Sequence, residues 1–282
     1  MLVGPQIIFY VSNAYYLKES PQHAVIISAL FVVCIYLLIK LVISNPGFLI
    51  AKDKTKSVEK FFQETPSRTL IFQSRYVCYT GMARFQLMKF CRTCFILRPF
   101  RTSHCRICGA CVEKYDHHCP WLGNCIGKNN YRSFLLFLFI TLCLISYDFF
   151  VSVAYLNQEI DGMSVNRAIS NYGGTIFVSI YSGTIFFFIA SLLCFHTYLV
   201  CNSMTTHEYF TKAWNRPHYN PYNLGCLQNA LNIIAGMRNK NLRTKKIKEQ
   251  EIAPEVLSSA FEERPKVEAN AINITRIQQK NE

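Results

Sequence analysis

Long apolar runs separated by strongly basic stretches restrict this chain to a bundle of membrane helices joined by polar segments. Four runs qualify as candidate spans. Leu2–Leu17 is short for a hydrocarbon core of about 30 Å, which takes about 20 helical residues. It has neither a charged leading segment nor a small-residue cleavage site, so a signal peptide is not expected. Ala24–Ser44 carries only Lys40, near one end, where the ammonium can snorkel to water. Ser133–Leu156 contains Asp148, which at that depth must face the bundle, lie near the interface or be protonated. Gly173–Cys201 is long enough to span even when tilted. The expected fold class is an all-α membrane protein with four transmembrane helices.

The intervening charges set the orientation. Fifteen Lys/Arg lie in 45–132 and twelve after Cys201, whereas the short loops 18–23 and 157–172 hold one each. Basic loops mark the cytosolic side, so both termini and the central segment are expected there. The net charge of +13 is thereby explained without nucleic acid, a partner that flanking spans and the lack of a long basic recognition helix also disfavour. The expected division is helices 1 and 2 in 1–44, a cytosolic insert in 45–132, helices 3 and 4 in 133–201, a cytosolic region in 202–251 and a flexible tail in 252–282. In the fourth part, Leu224, Leu227, Leu231 and Ile234 recur at helical spacing and could lie on the bilayer or pack on the insert. A run with six Lys/Arg follows at 238–251, suited to anionic lipid or plain solvation. The sequon at Asn273 reads as chance, because this topology never exposes it to the lumen.

Thirteen cysteines would suit a secreted disulfide scaffold, but seven fall between Cys91 and Cys125, mixed with His104, His117 and His118. Such mixing points to zinc in a reducing compartment. Cys34, Cys143, Cys194 and Cys201 lie in or beside apolar runs and read as small buried hydrophobes, while Cys78 and Cys226 receive no role. The cluster offers ten soft donors, and two tetrahedral zinc sites use eight. Cys91/Cys94 and Cys105/Cys108 are natural half-sites. Adjacent residues seldom point at one ion, so if His118 binds, His117 and Cys119 are left over, able to meet across a bend. Pro120 stops a helix from running through Cys119, and Asp116 could hold one imidazole nitrogen. A filled metal site leaves no open position for water, so any chemistry would belong to sulfur made nucleophilic by a neighbouring histidine. The bland alternative is a purely structural zinc ribbon with two spare residues.

The run "CRTCFILRPFRTSHCRICGACVEKYDHHCPWLGNCIGKNNYRSF" at 91–134 resembles the cysteine-rich domain of the DHHC protein S-acyltransferases, the palmitoyltransferases. Every cysteine and histidine of that pattern is present at the family spacing, with Arg98-Pro99, Trp121, Asn124, Gly127, Asn130 and Phe134. Thr205-Thr206-His207-Glu208 matches the family's TTxE motif, and "NPYNLGCLQN", with Tyr222 and Asn229, is similar to its C-terminal motif. Asn45-Pro46-Gly47 departs from the usual Asp-Pro-Gly after the second span, and the short first span is a larger irregularity.

The resemblance implies a two-zinc cytosolic domain, about 89–132, between helices 2 and 3. It implies crossed ligand sets: Cys91, Cys94, His104 and Cys111 for one zinc; Cys105, Cys108, His118 and Cys125 for the other. Spacing alone leaves a sequential assignment equally open. Cys119 is implied as nucleophile, His117 as base and Asp116 as its orienter. The implied activity moves a long-chain acyl group, typically palmitoyl, from acyl-CoA to cysteines of membrane-associated target proteins, in the Golgi or endoplasmic reticulum. Trp121, Arg98, Lys128 and Arg132 are candidates to contact the CoA donor, with Arg101 and Lys114 as further cations nearby. The rival expectation is a membrane-anchored zinc module without catalysis, a scaffold or RING-like domain, in which His117 and Cys119 would be dispensable. A channel with a regulatory insert has only the spans and Asp148 behind it.

Overall fold

The computed structural model describes residues 3–49, 72–79, 82–91, 93–94, 96–214 and 220–235. The basic run at 238–251, the tail at 252–282 and the Asn273 sequon lie outside the described residues. Among the described residues three helices are long and apolar enough to cross a membrane: α3 (Pro21–Ile43), α4 (Tyr131–Glu159) and α5 (Val165–Cys201). Pro21 opens α3, where its missing N–H is no loss. Helix α5 has a non-helical residue at Tyr172, so the expected span from Gly173 begins just past a break.

The first expected span is two short helices, α1 (Val3–Ser12) and α2 (Ala14–Glu19). The ladder nevertheless continues through the join: Asn13 N–H donates to Phe9 O at 3.0 Å, and Leu17 N–H to Asn13 O at 2.9 Å. The Asn13 amide also donates to Phe9 O at 2.9 Å. The pair is thus one bent rod, about 25 Å long at 1.5 Å per residue. Helix α4 packs on both α3 and α5, and α1 packs on α5. At Gly174 a Cβ would lie 2.1 Å from Ser12 Oγ, so only glycine lets α1 come this close to α5. Asp148 is buried and faces the bundle, accepting from Gln6 Nε2 at 3.4 Å.

The insert departs from an all-helical plan. It is built on strands, six of them only two or three residues long: β1 (Phe48–Leu49), β2 (Phe72–Tyr79), β3 (Met82–Cys91), β4 (Ile96–Leu97), β5 (Ser103–Cys105), β6 (Ala110–Val112), β7 (His117–Cys119) and β8 (Asn124–Ile126). They form sheets in the orders β1-β6-β5, β2-β3-β4 and β7-β8, all antiparallel. The three-residue strands that carry most of the Cys and His side chains of 103–126 offer little apolar surface to bury, which is why such a module needs another source of stability.

Three asparagines fasten the insert to α3. Asn45 Oδ1 accepts from Gly47 N and Phe48 N, both at 2.9 Å, closing a turn that leads into β1. An amide oxygen does this as well as a carboxylate, so Asn in place of Asp changes little. Asn124 Nδ2 donates to the carbonyls of Leu41 (2.9 Å) and Ser44 (2.8 Å), orphans at the end of α3. Asn130 Nδ2 donates to Ser44 Oγ at 3.0 Å and Cys125 O at 2.9 Å. Gly127 lies where a Cβ would meet Val112 Cγ1 at 2.6 Å and Pro46 O at 2.7 Å.

After α5 come α6 (Thr206–Phe210) and α7 (Cys226–Ile234). The expected stripe on α7 is helical, and Leu224, Leu227, Leu231 and Ile234 are exposed. Of the four cysteines expected to be buried, only Cys34 is; Cys143 is half-buried, Cys194 is exposed, and Cys201 is half-buried against Cys226. Cys194 is turned out of an apolar helix, and Cys201 ends one, so neither reaches the bundle interior.

Candidate active site and metal clusters

Two donor sets form in the insert: Cys91, Cys94, His104 and Cys111, and Cys105, Cys108, His118 and Cys125. Within each, the donor atoms lie within 4.8 Å of one another. Sulfur to Nδ1 distances run 3.6, 3.3 and 3.9 Å in the first set and 3.8, 3.3 and 3.6 Å in the second. An ion bonded tetrahedrally to sulfur at ~2.3 Å and nitrogen at ~2.0 Å sets that edge at about 3.6 Å. The residues present therefore fit a four-coordinate soft metal in both places.

The strand pleat explains the crossing of the sets. Successive side chains on a strand face opposite ways. On β5, His104 and Cys105 must therefore part, one to each set, while His104 pairs across the ladder with Cys111 of its own set. Likewise His118 pairs with Cys125. A sequential assignment would require neighbours on one strand to face the same ion.

The same rule leaves the other two donors together. His117 and Cys119 flank His118 on β7, so both point away from the metal set. They meet on one strand face rather than across a bend. A turn follows: Leu122 N–H donates to Cys119 O at 3.2 Å and Gly123 N–H to Pro120 O at 3.4 Å. Burial raises the Cys119 thiol, but the hydrogen bond from His117 and the backbone N–H groups of Leu122 and Trp121 outweigh it, holding it below the usual thiol range.

His117 is fixed from the other side. Its Nδ1 donates to Asp116 Oδ2 at 2.7 Å, which leaves Nε2 for sulfur. Burial opposes the imidazolium, yet Asp116 and Cys119 prevail and lift His117 to about 9. Asp116 is 1% exposed. Burial alone would raise its carboxyl, but the bonds from His117 and Thr206 N–H hold it below the usual carboxylate range. Phe134 meets the His117 ring edge-on at 5.5 Å. Cys119 itself lies in an apolar cluster with Leu41, Leu122, Ile126, Tyr131, Phe134 and Leu138.

The segment after α5 completes the frame. Thr206 donates to Asp116 twice, N–H to Oδ1 and Oγ1–H to Oδ2, both at 2.8 Å. Thr205 and Glu208 form a reciprocal capping box on α6. Glu208 in turn accepts two bonds from Arg101, each 2.6 Å, and Arg101 also donates to Ser203 O at 2.9 Å. Arg101 adopts φ 63°, a left-handed backbone costly for a side chain, which aims the fork at Glu208.

Comparison with known proteins agrees with this geometry. Residues 84–213 match the family model described as DHHC palmitoyltransferase. Palmitoyltransferase ZDHHC9 of Homo sapiens is 30% identical over 253 residues, covering 84% of this chain and 68% of that protein. This chain belongs to the DHHC palmitoyltransferase family. Protein S-acyltransferase 8 of Arabidopsis thaliana is 29% identical over 295 residues, 99% of this chain and 72% of the relative. Probable protein S-acyltransferase 6 of Arabidopsis thaliana is 40% identical over 149 residues, 52% of this chain but only 36% of the relative. The chain likewise spans 37% of Probable protein S-acyltransferase 5 from the same plant.

Set against the DHHC pattern, the expected CoA contacts divide. Lys128 and Arg132 are exposed beside the site, and Trp121 is 70% exposed on the turn after Cys119. Lys128 pairs with Glu113. Arg98 instead lies against the Cys91 sulfur, within the first donor set. Arg101 is taken up by Glu208 and lies over the Tyr222 ring at 4.6 Å. Lys114 is pulled down to about 8 by burial and by Arg101. Sequence reasoning recognised Thr206 and Glu208 as motif letters but gave them no partner. It missed His196, which is 1% exposed in α5 with its Nδ1 3.1 Å from Tyr131 Oη and its ring 6.2 Å from that of His117. No local signal marks a lone histidine in an apolar run.

Proposed function

We propose that this chain is a protein-cysteine S-acyltransferase, moving a long-chain acyl group, typically palmitoyl, from acyl-CoA to cysteines of membrane-associated proteins. One observation carries the reading: two sets absorb eight of ten soft donors, while Cys119 and His117 share a strand face with Asp116 behind them. The Cys119 thiolate attacks the thioester carbonyl, and CoA leaves as its thiol, taking the proton that His117 held and leaving the imidazole neutral. The acyl-enzyme then meets a target thiol, which gives its proton to His117 and takes the acyl group, restoring the Cys119 thiolate. Asp116 keeps the imidazole in one tautomer and stabilises its cation. Backbone N–H groups at Trp121 and Leu122, already aimed at the sulfur, are placed to stabilise a developing oxyanion nearby.

Zinc, bound by the two sets, would stiffen the strands that carry these groups and supply no catalytic water, since each set is complete with four donors. The membrane setting fits the substrate. A fatty chain gains about 0.8 kcal/mol per buried CH₂, and Cys119 lies in an apolar cluster contributed partly by α3 and α4. Exposed Lys128, Arg132 and Trp121 suit the phosphates and adenine of CoA.

The topology that goes with this is four-pass, with α1 and α2 together as the first crossing, both termini cytosolic, and residence in the Golgi or endoplasmic reticulum. Its division is 1–44, 45–132, 133–201, 202–251 and 252–282, as the charge pattern suggests.

The test is direct. Purified protein incubated with labelled palmitoyl-CoA should carry hydroxylamine-sensitive label on Cys119. Cys119→Ser should lose the label while keeping both zinc ions. Wild-type protein that retains zinc and stays unlabelled would overturn the reading and favour the scaffold alternative.

A further inference from the structure

We propose that Cys201 and Cys226 form a reversible disulfide, made by disulfide exchange with an oxidised thiol such as glutathione disulfide, that fastens α7 to the end of α5. Cys201 is the last residue of α5 and Cys226 the first of α7, and the structure brings the two side by side, their sulfurs in contact and their Cα atoms 3.9 Å apart. Neither belongs to a metal set.

Three observations carry the inference. First, the pair does not depend on the bond for its proximity. Asn229 of α7, itself buried, donates through Nδ2 to Cys201 O at 2.9 Å and to Asn223 Oδ1 at 2.8 Å, and its Oδ1 accepts from Leu224 N–H at 3.1 Å. Reduced thiols therefore remain neighbours, a high effective concentration for closing the bond. Second, Cys226 is exposed and Cys201 half-buried, so a soluble disulfide can reach one and the other can resolve it. Third, the bond cannot be permanent in a compartment where the insert keeps its thiols. Six thiols of the metal sets and Cys119 are free, and they need a reducing compartment. A disulfide bound to the same frame is then an oxidation-dependent state.

The exchange balances with glutathione disulfide as the two-electron acceptor. The Cys226 thiolate attacks one sulfur of glutathione disulfide and releases one glutathione thiolate. The Cys201 thiolate then displaces the second. Two protein thiols lose two electrons and two protons, and two reduced glutathiones result.

The bond has something to control. Ile233 of α7 packs against the apolar cluster that contains Cys119. Asn220, just before α7, donates to Asn202 O at 2.7 Å and Ser203 O at 3.1 Å, and Ser203 O is also an acceptor for Arg101. A tie from Cys226 to Cys201 holds the start of α7 against the end of α5 and keeps Ile233 seated.

The experiment uses the full chain with zinc in lipid nanodiscs, equilibrated in glutathione buffers of stepped ratio, quenched with a thiol alkylator and read by peptide mass spectrometry. A linked Cys201–Cys226 peptide should appear as the ratio becomes oxidising and vanish on return to reduced glutathione, with zinc retained throughout. Amide exchange over 226–234 should slow at least about tenfold on linking, as closure of a loop this long predicts. Cys226→Ser should abolish both changes. Full alkylation of both thiols at every ratio would overturn the proposal, as would linkage seen only after zinc loss, or an acyl group occupying Cys226 in place of the bond. None of these readouts requires acyl transfer, so a failure here is separable from a failure of the proposed activity.

Discussion

Asp116 and Thr206, 90 positions apart, are joined by a pair of 2.8 Å hydrogen bonds that fix both carboxylate oxygens, and one of those oxygens also holds His117 at 2.7 Å. The strand face that carries His117 and Cys119 is thus oriented by a segment two apolar helices further along the chain. The geometry of the Asp116–His117 pair and the packing of α6 are one structure, and substitutions in α6 should register at Cys119.

Thr206→Val removes the Oγ1 donor and keeps the backbone one. A hydrogen bond to a charged acceptor contributes about 1.5–3 kcal/mol, so the Cys119 loading rate should fall at least about tenfold. Zinc content measured in parallel should not change. A fall in zinc instead would mean that Thr206 supports the fold rather than the carboxylate.

The pH profile should report the His117–Cys119 pair. His117 stays protonated up to about 9, and Cys119 is held below the usual thiol range. Loading should be level through neutral pH and fall as pH passes about 9, when the imidazolium is lost. Its raised value also means that the pair's contribution to stability is complete below the unfolded imidazole pKa of about 6.5 and lost as pH rises through about 9. Asp116→Asn removes the main partner raising His117, so the alkaline limb should move down by roughly one to two units. A limb that does not move would assign it to another group.

Breaking the buried pair between Arg101 and Glu208 should be costly. Glu208→Gln leaves the guanidinium without its ion partner, at a cost of about 3–5 kcal/mol for a pair this buried. Thermal unfolding and protease sensitivity after α5 should both report the loss. Arg101→Lys should rescue only in part, because an ammonium cannot reproduce the two-pronged contact.

Metal removal separates structural from chemical sulfur. Chelation, or Cys94→Ser, should release zinc and loosen β5 and β6, abolishing label at Cys119 although Cys119 is no ligand. Intact label after complete zinc loss would contradict the structural role.

Gly127→Ala tests the close approach of the loop after β8 to β6 and to the turn at Pro46 that follows α3. The added carbon would lie 2.6 Å from Val112 Cγ1 and 2.7 Å from Pro46 O. The backbone must shift, and a destabilisation of about 1–3 kcal/mol is expected, read as a lower unfolding midpoint.

Much of this was legible in the chain. Apolar runs of sufficient length specify helices in lipid, because no other open backbone satisfies its own polar groups there; α3, α4 and α5 follow from them. The count of ten soft donors against two tetrahedra specified that two would be left, and adjacency pointed to His117 and Cys119. What the chain could not state is direction. Which donors share an ion depends on the pleat of β5 and β7, which sends His104 and Cys105 apart and puts His117 with Cys119. The partners of Asp116 and Glu208, the approach of Cys226 to Cys201 and the seat of His196 are long-range contacts between short polar groups. Periodicity and spacing act over a few residues and carry no record of such contacts; only the closing of the bundle brings them within reach.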